Sequence, residues 1–307
     1  MRPISLLIGL LLFAVDQAYA DQQCPPSKGI ALQVLGSGGP IADDGRASSS
    51  YIVWIDGKSR VLIDAGGGSF LRFGEANGNF NDLELVGLSH FHADHSADFI
   101  ALLKSGNFAN RDRPLTVVGP SGASRFPGLN DFIAGNLNKE TGAFRYLSGY
   151  LDGSGGLPML NALEIGEETN IGSDLLADND TISVLATHVP HGIVPALAFR
   201  VEVADTSIVF SSDQNGSDPE FATFARNAPL LVMHMPIPEN ARDAARSLHA
   251  VPSRIGEVAN EAGAQRLLLS HFMARSLEQF EDNVAFVRGR FDGQLLIAED
   301  LYCLWFN

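Results

Sequence analysis

The chain has 307 residues, 45% hydrophobic and 19% charged. That composition can bury one large core and excludes wholesale disorder. A formal net charge of −15 and a pI near 4.8 repel phosphate backbones. No run of Lys and Arg relieves this, so the expected partner is a small-molecule substrate and not nucleic acid.

The N-terminus carries Arg2, the apolar run ISLLIGLLLFAV at 4–15, and Ala18-Tyr19-Ala20. This is the pattern of a secretory signal peptide over residues 1–20, cut after Ala20. Residues 21–307 then form one domain, periplasmic or secreted. No later stretch approaches the roughly 18 apolar residues of a bilayer span, so no membrane span is expected after cleavage. Gln22 and Gln23 argue against a lipid anchor on Cys24. The two cysteines, Cys24 and Cys303, lie near the two ends of the chain. An oxidising compartment predicts that they pair. A homodimer stays open.

In chain order, strands are predicted at 30–35, 51–55, 60–64 and 84–89, with the Gly-rich turns 36–40 and 66–68 between or after them. Residues 95–104 read as a helix and 114–119 as a strand. Residues 127–180, rich in Gly, Asn and acidic side chains, read as a surface excursion. Strands resume at 181–188, 195–203, 206–213 and 229–234. A helix at 251–263 and a strand at 266–271 follow, and 294–306 closes the chain as one apolar element. Strands and helices occur in both halves without a linker, which gives one mixed α/β domain.

The chemistry gathers at strand ends. His90, His92, Asp94 and His95 fall within six residues at the exit of an apolar strand. Imidazole and carboxylate are ligands for borderline divalent cations. The same logic selects His191, Asp213, His234 and His271, each closing a strand beside a turn, with His188 and His249 as further candidates.

These residues carry a family resemblance. SHFHADHS resembles the signature of the metallo-β-lactamase superfamily. LGSGGP with Arg46 and Ser48-Ser49-Ser50, Asp64-Ala65-Gly66, HGIVPALAFR at 191–200, FSSD at 210–213 and LLLSHFMARS at 267–276 resemble motifs of its ribonuclease Z and arylsulfatase-like branch. Ser212 stands where that branch usually has Gly.

The resemblance implies a four-layer αββα metallo-β-lactamase sandwich with two divalent metal ions, Zn²⁺ matching the ligands best. His90, His92 and His191 would hold one ion, and Asp94, His95 and His271 the other. Asp213 would bridge them, with a hydroxide between the ions as nucleophile. Asp94 and His249 are the catalytic candidates. In ribonuclease Z the residue matching His249 acts with a Glu, but Met235 occupies that Glu position here, so His249 would act alone. The implied activity is an exported hydrolase of phosphodiesters or related phosphate or sulfate esters. A lactone or β-lactam hydrolase and a non-catalytic metal- or ligand-binding protein are the alternatives.

Overall fold

The computed structural model describes residues 24–25, 27–166, 175–176 and 182–306. The expected signal peptide, 1–20, lies outside them, as does part of the 127–180 segment.

Among the described residues, fourteen strands form two seven-stranded sheets. The first sheet contains β1 (Ile30–Gly36), β2 (Ser50–Ile55), β3 (Lys58–Ile63), β4 (Leu85–Gly87), β5 (Leu115–Pro120) and β6 (Leu160–Ile165). The second contains β7 (Leu175–Leu176), β8 (Ile182–His191), β9 (Val194–Val203), β10 (Thr206–Phe210), β11 (Leu230–His234), β12 (Arg266–Ser270) and β13 (Gln294–Ile297). The last strand, β14 (Cys303–Phe306), returns to the first sheet, whose order is β14-β1-β2-β3-β4-β5-β6. The second sheet runs β13-β12-β11-β10-β9-β8-β7.

Each sheet changes character part-way across. β1, β2 and β3 pair antiparallel, whereas β3 through β6 pair parallel. Likewise β7 through β10 are antiparallel and β10 through β13 parallel. The two switch strands are β3 and β10.

Strand periodicity explains the layering. Successive side chains point to opposite faces. Tyr51 and Val53 of β2 join the core that also holds Val184, Ala186 and Phe199 of the second sheet, while Ile52 and Trp54 join the core on the opposite face. Burial on both faces is why these strands read as almost continuous apolar runs. Helices at Phe99–Gly106 and Leu129–Leu137 supply Phe99, Leu103, Leu129 and Ile133 to the outer core of the first sheet. Helices at Pro252–Glu261 and Phe280–Arg288 supply Ile255, Val258, Val284 and Val287 on the second. The result is the expected four-layer αββα sandwich.

Three expectations change. The helix expected at 95–104 is two helices, Ala93–Ser96 and Phe99–Gly106. Its earlier start puts Asp94 and His95 in the first turn. The closing segment 294–306 is two strands in different sheets, because Ala298-Glu299-Asp300 interrupts the apolar run. Asp300 then ties the loops together, accepting from Ser37 N, Ala47 N and Arg72 Nε at 3.0, 2.9 and 3.2 Å. The 127–180 segment is more than a surface excursion. Leu129, Ile133 and Leu137, spaced by four residues, are buried on one helix face, and β6 extends the first sheet.

Cys24 and Cys303 form a disulfide with Cα atoms 6.0 Å apart. No described helix is long and apolar enough to cross a membrane.

Candidate metal centre

The candidate ligands follow strands of both sheets. β4 runs through Leu88 and Ser89 into His90, and the turn after it presents His92, Asp94 and His95. His191 ends β8, Asp213 follows β10 by three residues, and His271 directly follows β12. Three non-glycine residues at these strand ends have left-handed backbone: Asp64 at φ 59°, Ser212 at 55° and His271 at 56°. Such conformations cost about 1–3 kcal/mol each and persist where surrounding structure holds them. The branch's usual Gly at position 212 is thereby explained. Ser212 adopts the turn that Gly would adopt without strain, and its Oγ is buried without a hydrogen-bond partner.

One glycine is required by close approach. A Cβ on Gly66 would lie 2.1 Å from the carbonyl oxygen of Asp94. The Asp64–Gly66 turn therefore packs directly beneath the ligand loop, and Ala65 N donates to His95 O at 2.8 Å.

The donors converge. His90, His92 and His191 offer ring nitrogens all within 4.8 Å of one another. The His95, Asp213, His234 and His271 atoms form a second such group, and His191, Asp213 and His249 a third. His90 Nε2 and His92 Nδ1 are 3.1 Å apart, as are His95 Nε2 and His271 Nε2. Asp94 Oδ2 lies 3.2 Å from His271 Nε2 and 3.6 Å from His95 Nε2. Asp213 Oδ2 stands at the hub, 3.7 Å from the nearest nitrogen of each of His95, His191 and His249. All seven predicted ligands and His249 are thus brought together.

Outer contacts fix which nitrogen faces inward. His95 Nδ1–H donates to Asp64 Oδ2 at 2.7 Å, which turns Nε2 toward His271. His191 Nδ1–H donates to the Leu248 carbonyl at 2.8 Å, and its Nε2 is buried with no partner. That orphaned, inward-facing nitrogen, among imidazoles and carboxylates without a thiolate, fits a borderline divalent cation. Asp64 also accepts from Ser89 N at 2.7 Å and Ser89 Oγ at 2.9 Å. Ser89 Oγ in turn lies 3.1 Å from His90 Nδ1. Asp64 and Ser89 therefore orient rings of both ligand groups, as outer contacts to metal-bound His commonly do.

His234 is resolved as an orienting residue. Its Nδ1–H donates to Asp213 Oδ1 at 2.7 Å, and its Nε2 is 3.1 Å from the Tyr51 hydroxyl. Both nitrogens are occupied, so it aims the Asp213 carboxylate. Burial, and then the nearby His271, pushes its pKa down to about 4. His188 stays outside the clusters and lines an adjoining cavity of about 440 Å³ with Ile193, Asp218 and the ligand candidate His191.

The field within the site is divided. Burial opposes protonation of His95, but the Asp64, Asp213 and Asp94 carboxylates more than offset it and raise its pKa well above the ordinary imidazole value. For His271, burial is outweighed in the same way by Asp213 and by the bond to Asp94. Burial, then the neighbouring His95, holds His90 well below that value. Asp213 is held far below the carboxylate range: burial acts against this, and His271, His249 and His95 overcome it. The field that draws protons to His95 and His271 would equally draw a divalent cation, and the two compete because a ligating nitrogen must give up its proton.

A cleft of about 410 Å³ opens onto the cluster, lined by Pro40, His92, Asp94, His249 and Arg275 among others. Arg275 is its one cation among the described residues, held by donation from Nε to the Pro236 carbonyl at 2.9 Å.

With this geometry established, the relationships to known proteins are plain. Residues 59–272 match the family model of the β-lactamase superfamily domain. The chain belongs to that superfamily. It is a metal-dependent hydrolase of this group, with a His/Asp cluster suited to divalent metals. It is similar to a protein named Ribonuclease Z from Mycolicibacterium gilvum, 28% identical over 289 residues that cover 89% of this chain and 95% of the relative. A Ribonuclease Z from Methanosarcina acetivorans is 25% identical over 299 residues, covering 89% and 96%. In fold it resembles the metallo-β-lactamase fold protein YhfI from Bacillus subtilis, with TM-score 0.69, 20% identity, and 90% and 100% of the two chains covered. It likewise resembles the short form of human tRNase Z, with TM-score 0.66, 19% identity, and 89% and 98% covered. Relatives named for a ribonuclease count against the expectation, drawn from net charge, that nucleic acid is no partner. Net charge averages over the whole surface, whereas substrate meets one cleft that holds Arg275 and the cation-binding cluster.

The sequence reading missed Asp64 and Ser89 as ring-orienting residues, Tyr51 as the partner of His234, and Arg275 in the cleft. Asp64 alone had a usable signal, since it is an acidic residue ending a strand.

Proposed function

We propose that the protein is an exported hydrolase of phosphodiesters that works with two divalent cations, Zn²⁺ foremost. The observation that carries the reading is the pair of ligand groups meeting at Asp213 beside a cleft whose wall holds a guanidinium. When bound, the ions supply Lewis acidity and lower the pKa of water enough for attack at neutral pH.

The chain's own residues do the rest. Asp64 and the Leu248 carbonyl accept from the outer nitrogens of His95 and His191, so that Nε2 of each ring would face an ion, and Ser89 Oγ lies against His90 Nδ1. His234 and Tyr51 hold Asp213 between the two groups. Arg275 suits one non-bridging oxygen of a phosphodiester, because a guanidinium hydrogen-bonds phosphate well. Asp94, held ionised by His95 and His271 against the effect of burial, stays an acceptor.

Export is supported by the residue pattern over 1–20 and by the Cys24–Cys303 bridge, since disulfides persist in oxidising compartments. N-terminal sequencing of the protein recovered from its native compartment should begin after Ala20. A chain retained in the cytoplasm with an intact N-terminus would refute export.

The activity is tested with metal-loaded protein on a panel of bis-aryl phosphodiesters, RNA with a 3′ extension, sulfate esters, lactones and β-lactams, with Zn²⁺ and Mn²⁺ in separate arms. Turnover of phosphodiesters, abolished by chelation, is expected. Turnover confined to lactones or β-lactams would refute the proposal. The RNA arm decides whether the relatives' substrate class carries over.

A further inference from the structure

We infer that His249 is itself a ligand to the ion shared by His191 and Asp213, not a free proton donor. The inference rests on the two-ion reading above.

Its Nδ1 has the same standing as the ligating nitrogen of His191. Each is buried with no hydrogen-bond partner. Each lies 3.7 Å from the same oxygen, Asp213 Oδ2. The three ligand atoms are mutually within 4.8 Å, and the two rings are 5.2 Å apart, centroid to centroid. Two donors tetrahedrally disposed about one ion, at bond lengths of about 2.1 Å, lie roughly 3.4 Å apart. The separations of the two ring nitrogens from Asp213 Oδ2 are within a few tenths of an ångström of that.

A proton-donating His needs a partner on its second nitrogen to set its tautomer and restore its charge. Among the described residues the one carboxylate paired with His249 is Asp213, and it faces Nδ1, not the second nitrogen. The loop also leaves the ring in place: His249 is 8% exposed, and its backbone N donates to Ala245 O at 3.0 Å. A buried imidazole nitrogen with no hydrogen-bond partner, aimed at a carboxylate already shared by His95, His191, His234 and His271, is placed as a ligand is placed. With His191 and Asp213 it forms a three-donor set beside the group of His90, His92 and His191, and His191 is common to both.

Co²⁺ is the probe. In the Co²⁺-loaded wild-type chain, hyperfine-shifted imidazole N–H resonances should show a sixth ring besides those of His90, His92, His95, His191 and His271. Stepwise Co²⁺ titration of His249→Ala and His249→Asn should weaken one of the two binding steps at least tenfold, since removing even an outer contact costs about 10–100-fold. The visible absorption should also intensify as that ion loses a donor. Two unperturbed binding steps with an unchanged spectrum, and a fall in turnover restored by substrates with better leaving groups, would overturn the inference and make His249 a proton donor. If either variant fails to fold, the wild-type resonance count decides alone. Wild-type protein that binds no Co²⁺ would defeat the two-ion reading itself, an outcome distinct from an unaffected His249.

Discussion

Asp64→Asn tests how the centre is held without touching a ligand. Asn tolerates the left-handed backbone of this position (φ 59°), and the side chain keeps its size at a site only 1% exposed. What changes is one acceptor. Asp64 Oδ1 serves Ser89 N at 2.7 Å, and Oδ2 serves Ser89 Oγ at 2.9 Å and His95 Nδ1 at 2.7 Å. An amide retains one oxygen. If that oxygen stays on Ser89 N, the NH₂ group meets His95 Nδ1–H, donor against donor. The ring escapes by moving its proton to Nε2, the atom 3.1 Å from His271 Nε2, and there it blocks coordination. If the amide turns over, the clash moves to Ser89 N.

The expected loss is about 10–100-fold in affinity for the ion held by Asp94, His95 and His271. That corresponds to roughly 1.4–2.7 kcal/mol. The companion ion should be affected less, since it feels Asp64 only through Ser89 Oγ and His90. Stepwise competition against a chromophoric chelator separates the two ions, and turnover at saturating metal should largely recover. If both ions bind Asp64→Asn as they bind the wild type, the tautomer reasoning is wrong.

Three other substitutions probe the surrounding frame. His234→Ala frees Asp213 Oδ1 and leaves the Tyr51 hydroxyl with Ser270 Oγ alone, 2.9 Å away; metal affinity read by the same competition should fall about tenfold or more. Ser212→Gly removes left-handed strain and an unsatisfied hydroxyl; urea unfolding of the metal-free protein should show a gain of up to about 1 kcal/mol, and a net loss would count against strain at that turn. Gly66→Ala sets a Cβ against the Asp94 carbonyl, so the ligand loop must shift; isothermal titration should show weakened binding of both ions, and unchanged affinity would mean the turn gives way instead.

The local part of the centre was legible because it is local. Four candidate ligands within six residues, at the exit of an apolar strand, need no knowledge of the fold. His191, Asp213 and His271 were legible by the same strand-end rule. The same rule selects His234 without separating a ligand from an orienting residue, and the orienting roles of Asp64, Ser89 and Tyr51 come from pairing across the sheets. Parallel pairing of Ile63 with Gly87 sets Asp64 beside Ser89, and nothing in the sequence of either strand announces it. Tyr51 alternates along β2 as a core aromatic, and only the packing of one sheet on the other brings its hydroxyl to His234. The helix Leu129–Leu137 is hard to see because Gly and Asn interrupt its apolar spacing, and 294–306 reads as one apolar element because only five residues, 298–302, carry the chain between sheets.

The two buried aspartates that organise the centre occupy equivalent places in the two halves. β3 is antiparallel to β2 and parallel to β4, and Asp64 follows it directly. β10 is antiparallel to β9 and parallel to β11, and Ser212 and Asp213 follow it. In each case the chain leaves the switch strand through a left-handed residue, and a crevice is expected at such a switch point. The following parallel strand then brings an imidazole to the same crevice: His90 beyond β4 and His234 at the end of β11. The halves have divided the labour from there. In the first, the Asp stands outside and orients a ligand. In the second, the His stands outside and orients the Asp. Packing the sheets face to face turns the two crevices into one, and for that reason Asp213 lies within 3.7 Å of rings from both halves.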